Sequence, residues 1–328
     1  MHIDKTVQPV ALRHRRVAFH LRPKVEEELW KLEAADIIEL VEGPTPGVSP
    51  IVATRKPKQP GEVRLCVDMR LPNLAIKRES HLTPTVDDIV SNIAGSRWFS
   101  KMDLRSGYHQ IMLAPESLYV TTFSTHLGLR RYKQLNFAIS SAAEVFQDII
   151  REVLSGLEGV LNVNDDILVH APTLEDHLTK LKAVLQRLQT CGLTLHQDKC
   201  EFLKSEERFF GYQFSNTGVS PDPDKVKDIQ TAPAPTTVTG VRSFLGMVMY
   251  CGRFMQNLTE LTKPLRELTK TASPWVWGPE QEEAFKKNKL ALSENTTLAY
   301  FDPHRQSELS VDASPTGLGA VLSQQQPC

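Results

Sequence analysis

Three aspartates carry the chemistry this sequence can offer. Asp165 and Asp166 adjoin each other in "LNVNDDILVH" (161–170), with Val160-Leu161 before them and Ile167-Leu168-Val169 after. An ionised carboxylate is expensive to desolvate, and two side by side repel each other. A pair set between two apolar runs therefore asks for a cation. Asp103 closes another apolar run, "RWFSKM", just ahead of Arg105-Ser106-Gly107-Tyr108. A lone Asp after a strand is ordinarily a cap or turn residue. A strand ending in Asp, then a helix, then a hairpin with Asp-Asp at its turn can also gather three carboxylates on one sheet. Such a cluster would hold two Mg²⁺ ions, with Mn²⁺ as the substitute, because the donors are hard oxygens. The chemistry would be activation of a 3′-hydroxyl and stabilisation of a transferring phosphoryl group.

The flanking pattern predicts the elements that would position these acids. Leu29, Leu32, Ile37 and Leu40 recur at helical spacing and predict a helix over 24–42, ended by Gly43-Pro44. "SPIVATRK" and "EVRLCVDMR" read as a hairpin around a turn at Pro60-Gly61. "TPTVDDIVSNIAG" reads as a short amphipathic helix capped by Thr85. "WFSKMDLRSGYHQIML" reads as a strand, a turn and further extended chain. "SSAAEVFQDIIREVLSGL" predicts a helix ending near Gly156, and "LEDHLTKLKAVLQRLQTCGL" another closed by Gly192. Between them "VLNVNDDILVHA" predicts a hairpin turning near Asn164-Asp165. From Pro221 onward helices and Pro-rich joints dominate, and "ELSVDASPTGLGAVLSQ" reads as strand, turn and strand.

Composition narrows the class. With 328 residues the chain has room for two or three domains, and 41% hydrophobic with 23% charged residues suits a globular protein. The net charge of -1 means that any nucleic-acid surface must be local. Arg13, Arg15, Arg16, Arg22 and Lys24 in "ALRHRRVAFHLRPK" form a candidate phosphate-facing arm, against the plainer reading of a solvated basic segment. The five cysteines form no Cys-x-x-Cys pair, which argues against a zinc knuckle or redox motif. No apolar run reaches membrane-span length, and "MHIDKTVQPV" does not read as a signal peptide, so a cytoplasmic or nuclear location is expected.

"CVDMRLPN" (66–73), "FSKMDLRSGYHQI" (99–111), "TTFSTHLGLRRYKQLNFAI" (121–139), "NVNDDILVH" (162–170), "FFGYQFSNTGVSPDPDKV" (209–226), "SFLGMVMYCGRF" (243–254) and "WGPEQEEAF" (277–285) stand in that order. Together they resemble the successive blocks of a reverse transcriptase of gypsy-like LTR retrotransposons. "VDASPTGLGAVLSQ" (311–324) is similar to the opening of an RNase H domain. The resemblance implies an α+β right-hand polymerase of fingers, palm and thumb, followed by a connection segment and a truncated RNase H-like domain. It divides the chain into an N-terminal arm and fingers helix (1–50), fingers and palm (51–214), thumb and connection (215–300) and the RNase H-like start (301–328). It implies RNA-directed DNA polymerisation on an RNA or DNA template with primer and dNTPs, without sequence readout and without a membrane.

Residue by residue, Asp103, Asp165 and Asp166 match the metal-binding aspartates of the palm. Arg64, Tyr108 and Phe137 fall on the nucleotide-binding positions. Arg64 would contact the triphosphate, with Lys56 or Lys58 alongside, and the Tyr108 ring would exclude a ribose 2′-hydroxyl. Phe210, Gly211 and Tyr212 match the turn that positions the primer end, and Asp312 matches the first RNase H carboxylate. Three features depart from the pattern. Val163 stands where the family has Tyr, and Ala138 stands where it has Gly, a change that strains a backbone needing positive φ. No acid follows Asp312, so no RNase H cleavage is expected and Asp312 reads as a turn residue before Ala313-Ser314-Pro315. No protease signature, zinc knuckle or integrase-like region is found, which suggests a piece of a longer polyprotein. Two rival readings follow: a decayed remnant that binds nucleic acid without polymerising, and a nuclease using the same metals.

Overall fold

The computed structural model describes all residues except 57–58, 79–83, 272, 293–296, 303, 315–316 and 326–328, and gives no side-chain placement for 55–56, 59–61, 314 and 317. Its centre is a four-stranded antiparallel sheet in the order Glu201–Lys204, Trp98–Asp103, Asp166–Ala171, Val160–Val163. The sheet is covered on both faces. Met102, Ile167 and Val169 pack with Phe146 and Ile150 of the helix Ala142–Val153 and with Leu181, Val184 and Leu188 of the helix Leu174–Thr190. Phe99, Val163 and Leu168 pack the other way, against Ile89, Ile93, Phe209 and Phe214. Alternation along each strand sends successive side chains to opposite cores.

Ahead of this sheet lies a five-stranded one, ordered Ile38–Leu40, Gly128–Tyr132, Thr122–Thr125, Ser49–Lys56, Gln59–Val67. After it come a three-stranded meander (Glu206–Phe209, Tyr212–Ser215, Gly218–Pro221) and the helices Pro223–Thr231, Val238–Tyr250, Leu258–Glu267 and Pro279–Ala291. Those helices share a separate core of Ile229, Val241, Phe244, Val248, Leu265 and Phe285. The chain then forms a two-stranded ribbon, Ser307–Ser314 with Gly317–Gln324. No helix among the described residues is long and apolar enough to cross a membrane.

Several local expectations hold. Thr85 and Asp88 close a reciprocal capping box on the helix Val86–Ile93. The hairpin 160–171 turns at Asn164-Asp165, with Asn164 at φ 53. Others are corrected. The helix expected over 24–42 stops at Ala34. Asp36 takes φ 57, its N–H reaches the Glu33 carbonyl (3.0 Å), and the Ile37 N–H reaches that of Leu32 (2.9 Å). This is a Schellman closure with Asp where Gly is usual. The β-branched residues that follow suit a strand, and Ile38–Leu40 pairs with Arg130–Tyr132, tied by Glu39 to Arg131 at 2.6 Å. Pro60-Gly61 lie inside the strand Gln59–Val67, which pairs with Ser49–Lys56, and do not form the turn expected there. Gly107–Gln110 is a turn of 3₁₀ helix and not extended chain. Asp312 is mid-strand, opposite Gly319, and not a turn residue.

Two histidines are buried against the central sheet. His170 Nδ1 lies 2.9 Å from Ser96 Oγ, and His177 Nε2 lies 2.7 Å from Ser100 Oγ. Burial, aided by Lys180 and His177, pushes the His170 pKa down from 6.5 to about 4. The folded protein therefore resists a proton that the unfolded chain accepts. The stabilisation is complete above pH 6.5 and is lost as pH falls toward about 4. Urea denaturation is expected to show a fall of roughly 2 kcal/mol between pH 7 and pH 5 that is blunted in His170→Asn. A wild-type stability that is flat over this range would contradict the assignment.

Candidate active site

Register brings two of the three acids face to face. Asp166 pairs directly with Asp103 across the antiparallel strands, and Asp166 also faces Val163 across its own hairpin. Directly opposed residues share one face of a sheet, so both carboxylates emerge on the same side at the end of the sheet. Asp165 occupies the adjoining turn and is exposed; its carbonyl accepts the Leu104 N–H at 2.9 Å, which ties the turn to the residue after Asp103.

The electrostatics follow from this crowding. Burial raises the pKa of Asp166, with Asp165 and then Asp103 adding like-charge repulsion and Lys101 and Lys199 opposing. Lys199 Nζ lies 3.1 and 3.2 Å from the two oxygens of Asp103. Lys101 reaches Glu207 at 3.3 Å and the Arg208 carbonyl at 3.1 Å. Among the described residues no three His, Cys, Asp or Glu side chains converge closely enough to hold a metal as they stand. The donor set still fits a hard divalent cation: three carboxylates from adjoining backbone positions, with a neighbouring ammonium already drawn to one of them.

The hairpin is held by a residue the sequence pattern did not single out. Gln147, buried in the helix Ala142–Val153, donates to the Asn162 carbonyl (3.1 Å) and accepts the Asn164 N–H (2.6 Å). One side chain thus brackets the backbone immediately before Asp165. Lys199 was missed as well, although its place on the short turn Gln197–Lys199 before the edge strand Glu201–Lys204 sets it beside Asp103.

An aromatic platform adjoins the acids. Tyr108 is half-buried between Phe146 (centroids 5.0 Å) and Phe137 (5.3 Å, edge-on). Burial raises its pKa, with Asp165 and Glu144 contributing. Phe137 is 76% exposed, so its ring faces solvent over the site. Ala138 is not among the residues with positive φ, so the Gly-to-Ala departure carries no backbone strain. Val163 is buried in the core beneath the hairpin. Arg64 is exposed on the strand Gln59–Val67, in a different sheet from the acids. Lys58 and the side chain of Lys56 lie outside the described residues.

Phe210 and Gly211 form the two-residue turn between Phe209 and Tyr212, both with positive φ (49 and 78). Such a turn suits the twist of a hairpin, but Phe is unusual in that conformation. The turn is held from the helix Val238–Tyr250, where Tyr250 Oη donates to the Phe210 carbonyl at 2.9 Å. Tyr212 is buried, its ring stacked on Tyr250 at 5.4 Å. A Cβ on Gly211 would sit 2.1 Å from Tyr250 Oη, so a larger residue would have to displace the tyrosine that braces the turn. In the basic arm, Arg15 pairs with Asp68 at 3.7 Å, and Arg13 and Arg16 are exposed. Asp312, exposed on the C-terminal ribbon, accepts the N–H of Ala313 at 2.9 Å.

Gly107 fixes how closely the platform packs. A Cβ there would meet Phe146 Cζ at 2.7 Å. Gly107→Ala is expected to destabilise by about 1–3 kcal/mol through displacement of Phe146, measured by chemical denaturation. No loss of stability would mean that Phe146 yields freely.

The chain resembles known proteins over most of its length. The chain matches the family described as reverse transcriptase (RNA-dependent DNA polymerase) over residues 55–214, and the RNase H-like domain found in reverse transcriptase over 277–328. It is 33% identical over 270 residues to the transposon Tf2-3 and Tf2-7 polyproteins of Schizosaccharomyces pombe, covering 82% of this chain. The chain spans 20% of the length of these relatives. Its fold is similar to that of the foamy viral protease-reverse transcriptase solved with dsDNA (TM-score 0.87, 21% identity, 98% of this chain and 68% of that one). The same protein solved with an RNA/DNA hybrid gives a TM-score of 0.83 at 21% identity, over 98% of this chain and 44% of that one.

Proposed function

Because residues 55–214 are a reverse transcriptase domain and residues from 277 on belong to the RNase H-like domain found beside it, we propose that this chain is the RNA-directed DNA polymerase segment of a retrotransposon polyprotein. The substrates are a primed RNA or DNA template and dNTPs. The observation that carries the reading is the pairing of Asp166 with Asp103, with Asp165 in the adjoining turn, beside the ring of Tyr108. A sheet that places like charges opposite each other is poor design for stability alone and good design for a site that collects cations. In this reading 1–50 is the arm and fingers helix, 51–214 fingers and palm, 215–300 thumb and connection, and 301–328 the RNase H-like start.

Asp103, Asp165 and Asp166 would hold two Mg²⁺ ions, whose chemistry is activation of the primer 3′-hydroxyl and neutralisation of charge on the phosphoryl group. The side chains of this protein do the rest. Lys199 neutralises Asp103 until that carboxylate is needed and must let it go. Gln147 fixes the hairpin backbone, so that the acids enter the site from a rigid turn. Tyr108 is wedged between Phe137 and Phe146, and its ring would exclude a ribose 2′-hydroxyl on the incoming nucleotide. Arg64 offers a guanidinium to the triphosphate. The turn Phe210-Gly211, braced by Tyr250, supports the primer end. Arg13 and Arg16 add sequence-independent attraction to template phosphates.

A second reading, a folded remnant that binds nucleic acid without polymerising, draws on one observation: Asp103, one of the three acids, is already engaged by Lys199. Incorporation of dTTP on poly(rA)–oligo(dT) with Mg²⁺ or Mn²⁺ separates the two. Asp103→Asn and Asp165→Asn are each expected to lower incorporation by at least about a hundredfold, beyond the loss typical when a group that only orients a metal ligand is removed. Full activity in either variant would end the carboxylate assignment.

Sugar choice provides a separate check. Tyr108→Val is expected to raise the ratio of rNTP to dNTP incorporation by roughly tenfold or more, with a smaller effect on dNTP use. The measurement is competitive single-nucleotide extension. An unchanged ratio would make Tyr108 a packing residue.

A further inference from the structure

We propose that Asn73 is a positioning residue for the nucleotide-facing turn at 136–140, and that it acts through Phe137. The proposal rests on the reading of this site as a dNTP site. Asn73 lies in the short helix Pro72–Ala75, far from the acids in sequence. Its Nδ2 donates to the Ala138 carbonyl at 3.0 Å, and its Oδ1 accepts the Ser140 N–H at 2.9 Å. One amide side chain thus supplies a donor and an acceptor to two backbone groups that flank Ile139, as a neighbouring strand would.

The turn is otherwise held at its two ends, where Asn136 is buried and the Ala142 N–H reaches the Ile139 carbonyl at 3.1 Å. The hydrogen bond from the Ile139 N–H to the Asn136 carbonyl is long, at 3.3 Å. Ile139 is buried and anchors one end. Phe137 is 76% exposed, and its ring contact is the edge-on one with Tyr108. A side chain that exposed cannot be placed by its own burial, so its position follows the backbone, and the backbone is bracketed by Asn73. Asn73 is itself fixed, because its N–H reaches the carbonyl of buried Met69 at 2.8 Å. The clamp therefore ties the segment after the strand Gln59–Val67 to the turn that carries one wall of the platform. Removing it leaves a carbonyl and an N–H without these partners and lets Phe137 drift from Tyr108.

The test is a double-mutant cycle on dNTP incorporation, with amide exchange at Ser140 measured on the substrate-free protein. Asn73→Ala is expected to raise the KM for dNTP about tenfold with kcat changed less than about twofold, the signature of a misplaced binding wall. Phe137→Ala is expected to raise the same KM, and the double variant to be no worse than Phe137→Ala alone, because both changes act through one ring. Ser140 exchange should quicken in Asn73→Ala and not in Phe137→Ala. Multiplying KM effects, or a fall in kcat at constant KM, would overturn the proposal. If the wild-type protein incorporates no dNTP, the polymerase reading fails, and unchanged Ser140 exchange in Asn73→Ala would separately overturn the clamp.

Discussion

The register that sets Asp166 opposite Asp103 is the constraint on which the rest of the site depends. Like charges directly opposed across antiparallel strands weaken a sheet, and burial makes it worse by raising the pKa of Asp166. The surroundings compensate. Lys199 engages Asp103, Lys101 lies close enough to favour the ionised form of Asp166, and two apolar cores hold both strands from either face. The strands cannot slip to relieve the repulsion, because a shift by one residue would send Ile167 and Leu168 to the wrong cores.

The same logic recurs at the turn Phe210-Gly211. A bulky residue in a left-handed conformation is unfavourable by itself, and it is retained here by a hydrogen bond from Tyr250 on a helix of a different core. The three-stranded meander is thereby joined to the C-terminal helical region through aromatic and cationic contacts: Tyr212 on Tyr250 and Arg253 over Tyr212.

What could be read from the sequence was whatever local spacing encodes. Alternating apolar residues around Asp165-Asp166 announced a hairpin, Thr85 and Asp88 announced a helix start, and block order announced the family and its right-hand fold. The helix over 24–42 was misread because its stop signal is Asp36, a residue that only sometimes adopts a left-handed conformation, and because Ile37 and Leu40 fit a helical period by chance. Gln147 and Asn73 were invisible for a different reason. Each acts on backbone groups supplied by a distant segment, 15 to 67 residues away, and an amide on a helix looks like any solvated polar residue until the chain is folded. The approach of Lys199 to Asp103 is likewise a product of the fold, not of spacing.

Phe146 lies under both Gly107 and Tyr108: its ring edge abuts the glycine and its face tilts against the tyrosine. It is also one of the largest fully buried side chains in the main core. One residue thus sets how the Tyr108 ring sits and helps to hold the domain together. A change at position 107 or 146 therefore shifts the Tyr108 ring and loosens the core together, and a tolerated change has to alter both sides of the contact in concert.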